Sequence, residues 1–300
     1  MAAPTSPTLV SIVTEALKKA GWANPTTDTK APYTRARDEW MGEIKNDIWT
    51  ITKKLKSLQT KDILTTTNGR VQYSMPTDYS SDLLGQVMEG SVYGTATGGA
   101  SKSITLAAAD TSGSDIIGKE ILIYAGTGIN QTSYITAFNT TTKVATVSPD
   151  WSVTPVSGDS YMLIDTYYPL LPTHLWVSEG IQHSALRDRP SHYNILGNAT
   201  TGDMLLYPSP YRTSAIPYGI KRRYYANLMT LDLAGTLMST LYQNWRNVFV
   251  QGLFYKALVD MDDTRQDAAK QTYNKYLTSL VAREEYGKDI EHQHCIITDY

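Results

Sequence analysis

One break in pattern constrains this chain more than any other feature. Between Gly90 and Thr166 the sequence is dominated by Thr, Ser, Gly, Ala, Ile and Val, and no helical period survives. The runs "SITLA", "EILIYAG", "SYITAF", "KVATVS" and "YMLID" read as short strands, separated by turn clusters such as "ADTSGSD", "NTTTK" and "PVSGDS". Short strands at regular spacing with turn signals between them predict a small antiparallel sandwich or barrel. Arginine is missing over a wider window, from Val71 to Leu186. The shift in composition marks an inserted β block.

The flanks read differently. Leu9, Ile12, Val13, Ala16, Leu17 and Ala20 recur at helical spacing, and Gly21 stands where a helix should stop. After "ANPTTDTKAP", Pro32 opens a second helix, with Tyr33, Ala36, Trp40, Ile44, Ile48 and Ile51 on one stripe. Asn68-Gly69 between extended runs predicts a type I′ hairpin. Beyond Pro169, "HLWVSEGIQHSALRD" is compatible with a helix, and "SHYNILG", "DMLLYPSP" and "YGIKRRYYA" read as strands. Leu237, Leu241, Trp245, Val248, Phe249, Leu253 and Ala257 form a long stripe over 236–260. A last helix over 264–285 carries Ala268, Ala269, Tyr273, Tyr276, Leu277, Leu280 and Val281.

No stretch of the sequence carries a complete catalytic signature. Gly126-Thr127-Gly128 begins like a phosphate loop, but position 131 is Gln and "TSYITAF" continues as a strand. A dinucleotide fingerprint needs a third glycine and a following helix, so this is a β-turn. His174, His183 and His192 lie nine residues apart, which is no ligand spacing. Glu291, His292, His294 and Cys295 could gather a metal, yet they read better as a tail that touches a partner. Glu39 and Glu43, one helical turn apart, belong to a solvated face. "DMDDTRQD" lacks the glycine of a calcium loop, and no nucleophile elbow is present. The expectation is a non-enzymatic protein with no cofactor and no metal.

Composition narrows the partners. With 27 basic residues against 29 acidic and a net charge of −2, no basic surplus exists to grip DNA phosphates. Cys295 is the only cysteine, which rules out an intramolecular disulfide. The first residues have neither the basic start nor the apolar run of a signal peptide, and no stretch is long enough to span a membrane, so a soluble protein is expected. Twenty-one tyrosines against three phenylalanines suit partly wet interfaces.

The order "LVSIVTEALKKAGW", "TRARDEWMGEIKNDIWT", "GRVQYSMPTDY", "DRPSHYNILGNATTGDMLLYPSP" and "YGIKRRYYANLMTLD", closed by a helical pair, resembles the head-to-tail adaptor (head completion, tail accessory) proteins of tailed bacteriophages. The resemblance covers about two thirds of the chain and leaves out the β insertion. It implies an α+β fold: a helical-bundle adaptor core with a few strands and an inserted small antiparallel β-sandwich or barrel domain. The core would be discontinuous, over 1–89 and 167–288, with the insertion at 90–166 and a C-terminal docking arm at 289–300. It also implies a virion protein at the head-tail interface, assembled in the host cytoplasm. Usually twelve copies form a ring below the portal, extending the DNA channel to downstream tail or nozzle proteins. Double-stranded DNA would be touched only passively, with no membrane contact. The arm, through Ile290, His292, Ile296, Ile297 and Tyr300, would meet the portal protein. The competing expectation is a tail-associated receptor- or carbohydrate-binding β module built on 90–166 and Trp151. A cell-wall hydrolase would need two carboxylates flanking a cleft.

Overall fold

The computed structural model describes residues 9–27, 32–51, 55, 58–107, 114–173, 187–197, 202–212, 216–228 and 238–286. The chain divides into two compact units, one made of Met1–Gln59 with Tyr225–Tyr300 and the other of Thr60–Tyr224.

The first unit is helical. α1 (Leu9–Ala20) buries Ile12, Val13, Ala16, Leu17 and Ala20, the stripe read from the sequence. Its end is a Schellman motif: the Trp22 amide bonds the Leu17 carbonyl and the Gly21 amide the Lys18 carbonyl, with Gly21 at φ +115°. A second helical run follows as α2 (Tyr33–Arg35), a π-helical turn at Ala36–Trp40 and α3 (Met41–Ile51). Pro32 lies just outside it as the N-cap, and Ile51, placed on the stripe by spacing, is exposed. Beyond the π turn Ile44 and Ile48 stay buried with Ala36 and Trp40, so the stripe holds up to the last turn. α4 (Met238–Asp260) and α5 (Gln266–Tyr286) pack on each other, and α4 also meets α1 and α3. Trp245, Phe249, Leu253 and Ala257 enter the shared core. A Cβ on Gly252 would lie 2.8 Å from Ile44 and 2.9 Å from Tyr273, so glycine sets the approach of α4 to its neighbours.

The second unit is all strands apart from one 3₁₀ turn at Ser114–Ile116, among the described residues. Its strands are β1 (Gln59–Thr65), β2 (Gln72–Ser74), β3 (Tyr79–Glu89), β4 (Val92–Thr95), β5 (Gly98–Ala100), β6 (Ser103–Thr105), β7 (Glu120–Ala125), β8 (Gln131–Asn139), β9 (Val144–Ser148) and β10 (Ser160–Ile164). Then come β11 (Thr166–Pro172), β12 (Arg187–Asp188), β13 (His192–Leu196), β14 (Asp203–Tyr207), β15 (Ser209–Pro210) and β16 (Gly219–Ala226). They form two seven-stranded sheets and one small pair, β12 with β15.

The expected helical-bundle core with a few strands is therefore wrong. Much of what was assigned to it, including β1–β3, β11, β13, β14 and β16, builds the first sheet, in the order β1-β16-β3-β11-β13-β14-β2. Leu83, Leu84, Val87 and Met88 can be read at helical spacing, but on β3 they alternate: Leu83 and Val87 enter one core, Met88 another, and Leu84 is exposed. The stretch at 174–186 compatible with a helix lies outside the described residues, and Arg187–Asp188 beyond it is strand.

The Asn68-Gly69 expectation also fails. β1 and β2 are not hairpin partners but opposite edges of the first sheet. Gly69 alone takes positive φ, at +79°, and the Arg70 amide bonds the Thr67 carbonyl, the pattern of a type II turn. In a flat sheet these edges would be roughly 29 Å apart, whereas the link from Thr65 to Gln72 reaches at most about 25 Å. The sheet must curl.

The second sheet, β4-β10-β7-β8-β9-β6-β5, is antiparallel throughout and curls further. Only Ala96 and Thr97 separate its edge strands β4 and β5, a reach of about 11 Å. Ala96 bonds Asp159 beside β10, and Thr97 bonds Thr105 of β6, so the bent strand closes a small barrel. Inside lie Ile104, Ile121, Ile123, Ile135, Val147 and Leu163, with Tyr161 and Trp151.

Candidate functional site

The two sheets share one ribbon. β3 and β11 pair with Thr166 opposite Glu89, and the same strands continue past Gly90 and Asp165 as β4 and β10, with Leu163 opposite Val92. The chain thus enters and leaves the barrel side by side. A Cβ on Gly90 would lie 1.8 Å from the Leu163 carbonyl oxygen, so only glycine lets the strands cross this closely.

Polar groups gather at this junction around a cleft of about 550 Å³. Asp165 accepts from the Ser91 amide at 2.7 Å, from the Ser91 hydroxyl at 2.5 Å and from Lys119 Nζ at 2.6 Å. Burial alone would raise its carboxyl, but the bonds from Lys119 and Ser91 outweigh that and hold it below the ordinary carboxylate value. Glu89 accepts from Arg189 at 3.3 Å and, more closely, from Arg212. Each arginine also covers a tyrosine: Arg189 lies 3.5 Å from the Tyr168 ring centre and Arg212 4.6 Å from that of Tyr218. Three cations, Lys119, Arg189 and Arg212, share two carboxylates, Asp165 and Glu89, so each cation is paired and only one positive charge is left in excess.

Behind it, a buried polar cluster pins the barrel to the first sheet. Lys221 on β16 reaches Glu120 on β7 at 2.8 Å, with both side chains buried, and the Tyr167 hydroxyl donates to the same carboxylate. Burial would raise Glu120, yet bonds from Lys221, Tyr167 and Thr132 hold it low. Tyr167 is pushed well above the usual phenol range, by burial first and then by the Glu120 charge. Met88, Leu122, Met162 and Ile164 form a dry seam around this cluster.

Glu89 and Asp165 are two carboxylates flanking a cleft, the feature a glycoside hydrolase would need. A general acid, however, requires a carboxyl raised toward neutral pH, and Asp165 is moved the other way. The cleft fits a rigid mount for the barrel. Its residues come from positions 89 to 218 and share no motif, so sequence spacing gave no signal for them.

The residues singled out by sequence fare as follows. Ile290, His292, Ile296, Ile297 and Tyr300 lie outside the described residues, as do His174, His183, Glu291, His294 and Cys295. His192 sits on β13, its Nδ1 2.9 Å from the Ser191 hydroxyl. Glu39 pairs with Arg35, and Glu43 with Lys256. Gly126 turns β7 into β8 at φ +105°, and the Thr127 amide bonds Asp159 rather than facing open space. Trp151 is buried in the barrel core and offers no ring face to a sugar. Among the described residues no group of three or more His, Cys, Asp or Glu could hold a metal, and no helix is long and apolar enough to cross a membrane. No family model matches the chain, and no curated protein matches it.

Proposed function

We propose that the protein is a structural head-to-tail adaptor of a tailed bacteriophage, one subunit of a ring below the portal that extends the DNA channel and joins head to tail. The observation that carries this reading is the division of labour within the chain. Its two ends combine in one helical unit while its middle forms a separate β unit. A ring subunit needs two different complementary faces for its neighbours and further surface for the structures above and below. Two modules of unlike composition supply that variety. The phage-adaptor resemblance includes segments of both units, and the near-zero net charge suits a channel through which DNA slides. Trp151, the residue on which the carbohydrate-binding alternative rested, is buried, which weakens that alternative.

The test is co-assembly with the portal protein of the same phage, followed by negative-stain microscopy and sedimentation. The expected outcome is a ring of about twelve copies seated on the portal. Removal of residues 289–300 should leave the chain folded and abolish co-sedimentation, because the arm's apolar residues would order on the portal. A chain that remains monomeric in the presence of portal would refute the adaptor reading. A truncated chain that still binds at full strength would refute the arm alone.

A further inference from the structure

Asn68-Gly69 is the only Asn-Gly pair in the sequence, and it lies in the link that joins the two edges of the first sheet. Such pairs are chemically labile because glycine leaves the approach to the asparagine carbonyl open. The following amide nitrogen, deprotonated by hydroxide, attacks Cγ, the Cγ–Nδ2 bond breaks and ammonia leaves. Water then opens the resulting succinimide at either carbonyl to give aspartate or isoaspartate.

Here every group that must move is held. Asn68 Nδ2 donates to the Arg212 carbonyl at 2.9 Å, and Oδ1 accepts from the Arg212 amide at 3.2 Å. The attacking nitrogen of Gly69 donates to the Pro210 carbonyl at 2.8 Å. Behind them the Tyr73 hydroxyl accepts from the Thr67 amide at 2.8 Å and donates to the Arg70 carbonyl at 3.0 Å, fixing the turn itself. Asn68 and Gly69 are nevertheless exposed, so water and hydroxide reach them.

We propose that Asn68-Gly69 is a guarded deamidation site: the hydrogen bonds to Pro210 and Arg212 keep it intact while the sheet is closed, and its reaction unfastens the closure irreversibly. Aspartate at this position has no donor for the Arg212 carbonyl. Isoaspartate adds a backbone carbon and moves the Gly69 amide off Pro210. Either product frees the segment after β15 that carries Arg212 onto Glu89, so the damage reaches the junction cleft.

The full-length protein would be incubated at mildly alkaline pH, native and in urea, then digested under acidic conditions. Mass shift and enzymatic methylation of isoaspartate would report conversion at residue 68. Reaction in the folded state needs three net hydrogen bonds to open together, so the native rate should be roughly 100-fold below the unfolded rate. Tyr73→Phe should raise the native rate about 10-fold and leave the unfolded rate unchanged. Equal native and unfolded rates in the wild-type chain would overturn the proposal, whatever the variant does. A folded Tyr73→Phe protein with an unaltered native rate would overturn the guarding role of the turn.

Discussion

The two seven-stranded sheets differ in what fills them. The barrel is packed mainly with aliphatic side chains: Ile104, Ile121, Ile123, Ile135, Val147 and Leu163. The first sheet is packed with tyrosines: Tyr73, Tyr79, Tyr193, Tyr218 and Tyr224 share its core with Leu83, Val87 and Leu206. Connectivity accounts for the difference. Strands β7, β8 and β9 follow one another as hairpins, and β6 lies near them in sequence. Alternation and turn geometry then suffice to set register. The first sheet instead places β16 between β1 and β3, and runs β11 parallel to β13. Register between such distant segments gains from directional bonds. Tyr193 donates to the Leu83 carbonyl at 2.5 Å and Tyr224 to Asp78 at 2.7 Å, each pinning strands or turns far apart in sequence. The tyrosine surplus first suggested wet interfaces. Among the described residues five of the tyrosines form this core instead.

The largest expected effect comes from the pin between the sheets. Lys221→Met would leave Glu120 buried without its cation, at a cost of about 3–5 kcal/mol. Denaturant unfolding should show a lowered midpoint. The double variant Glu120→Leu with Lys221→Met should recover most of that loss, since a well-packed apolar pair can replace a buried ion pair. If the single variant were as stable as wild type, the two sheets would not depend on this cluster.

A smaller effect separates the two cores. Tyr193→Phe keeps the ring but removes the hydroxyl's bond to the Leu83 carbonyl, costing about 0.5–1.5 kcal/mol. In the barrel, Ile121→Val removes one methylene and should cost about 0.5–1.5 kcal/mol. Hydrogen exchange should also differ in kind. The tyrosine variant should expose amides of both β3 and β13, while the valine variant should loosen β7 and its neighbours only. Identical exchange maps would mean that the hydroxyl does not set register.

The same contrast explains what could be read in advance. α1 was legible because its stripe and its Gly21 stop are local, and the barrel strands because their turns are local. β3 was hidden because its sheet neighbours β16 and β11 lie far along the chain, and its apolar pairs Leu83-Leu84 and Val87-Met88 mimic helical spacing. Asn68-Gly69 carried a correct turn signal, yet nothing nearby says that the strands it joins pair elsewhere. The junction cleft was illegible for the same reason. Glu89, Asp165, Arg189 and Arg212 meet only once the ribbon and the small β12–β15 pair are in place.

The gentlest way to sharpen the comparison is alkaline pH. Tyr73, Tyr167, Tyr218 and Tyr224 are all raised above the ordinary phenol value, with burial the first cause in each. In the unfolded chain these phenols ionise near pH 10. The folded state therefore holds more protons than the unfolded one above that pH, and stability falls as pH rises. Their contribution is complete below about pH 10 and is lost as pH climbs through the folded-state values. Three of the four belong to the first sheet's core and Tyr167 lies on β11 of the same sheet, so that sheet should yield first. Glu120 and Asp165 act in the opposite window: both are depressed, so their contribution is present above about pH 4 and lost below it. Tyr273 in the helical unit is raised as well, so a global melting curve would blend two causes. Hydrogen exchange read by segment, with rates corrected for pH, avoids this. Between pH 8 and 11 protection should decline in β13, β14 and β16 before it declines in β7 and β8. Tyr224→Phe should flatten the slope in the first sheet, because phenylalanine has no proton to lose. Loss of protection in the barrel first, or in both sheets together, would show that the tyrosine core does not set the alkaline limit.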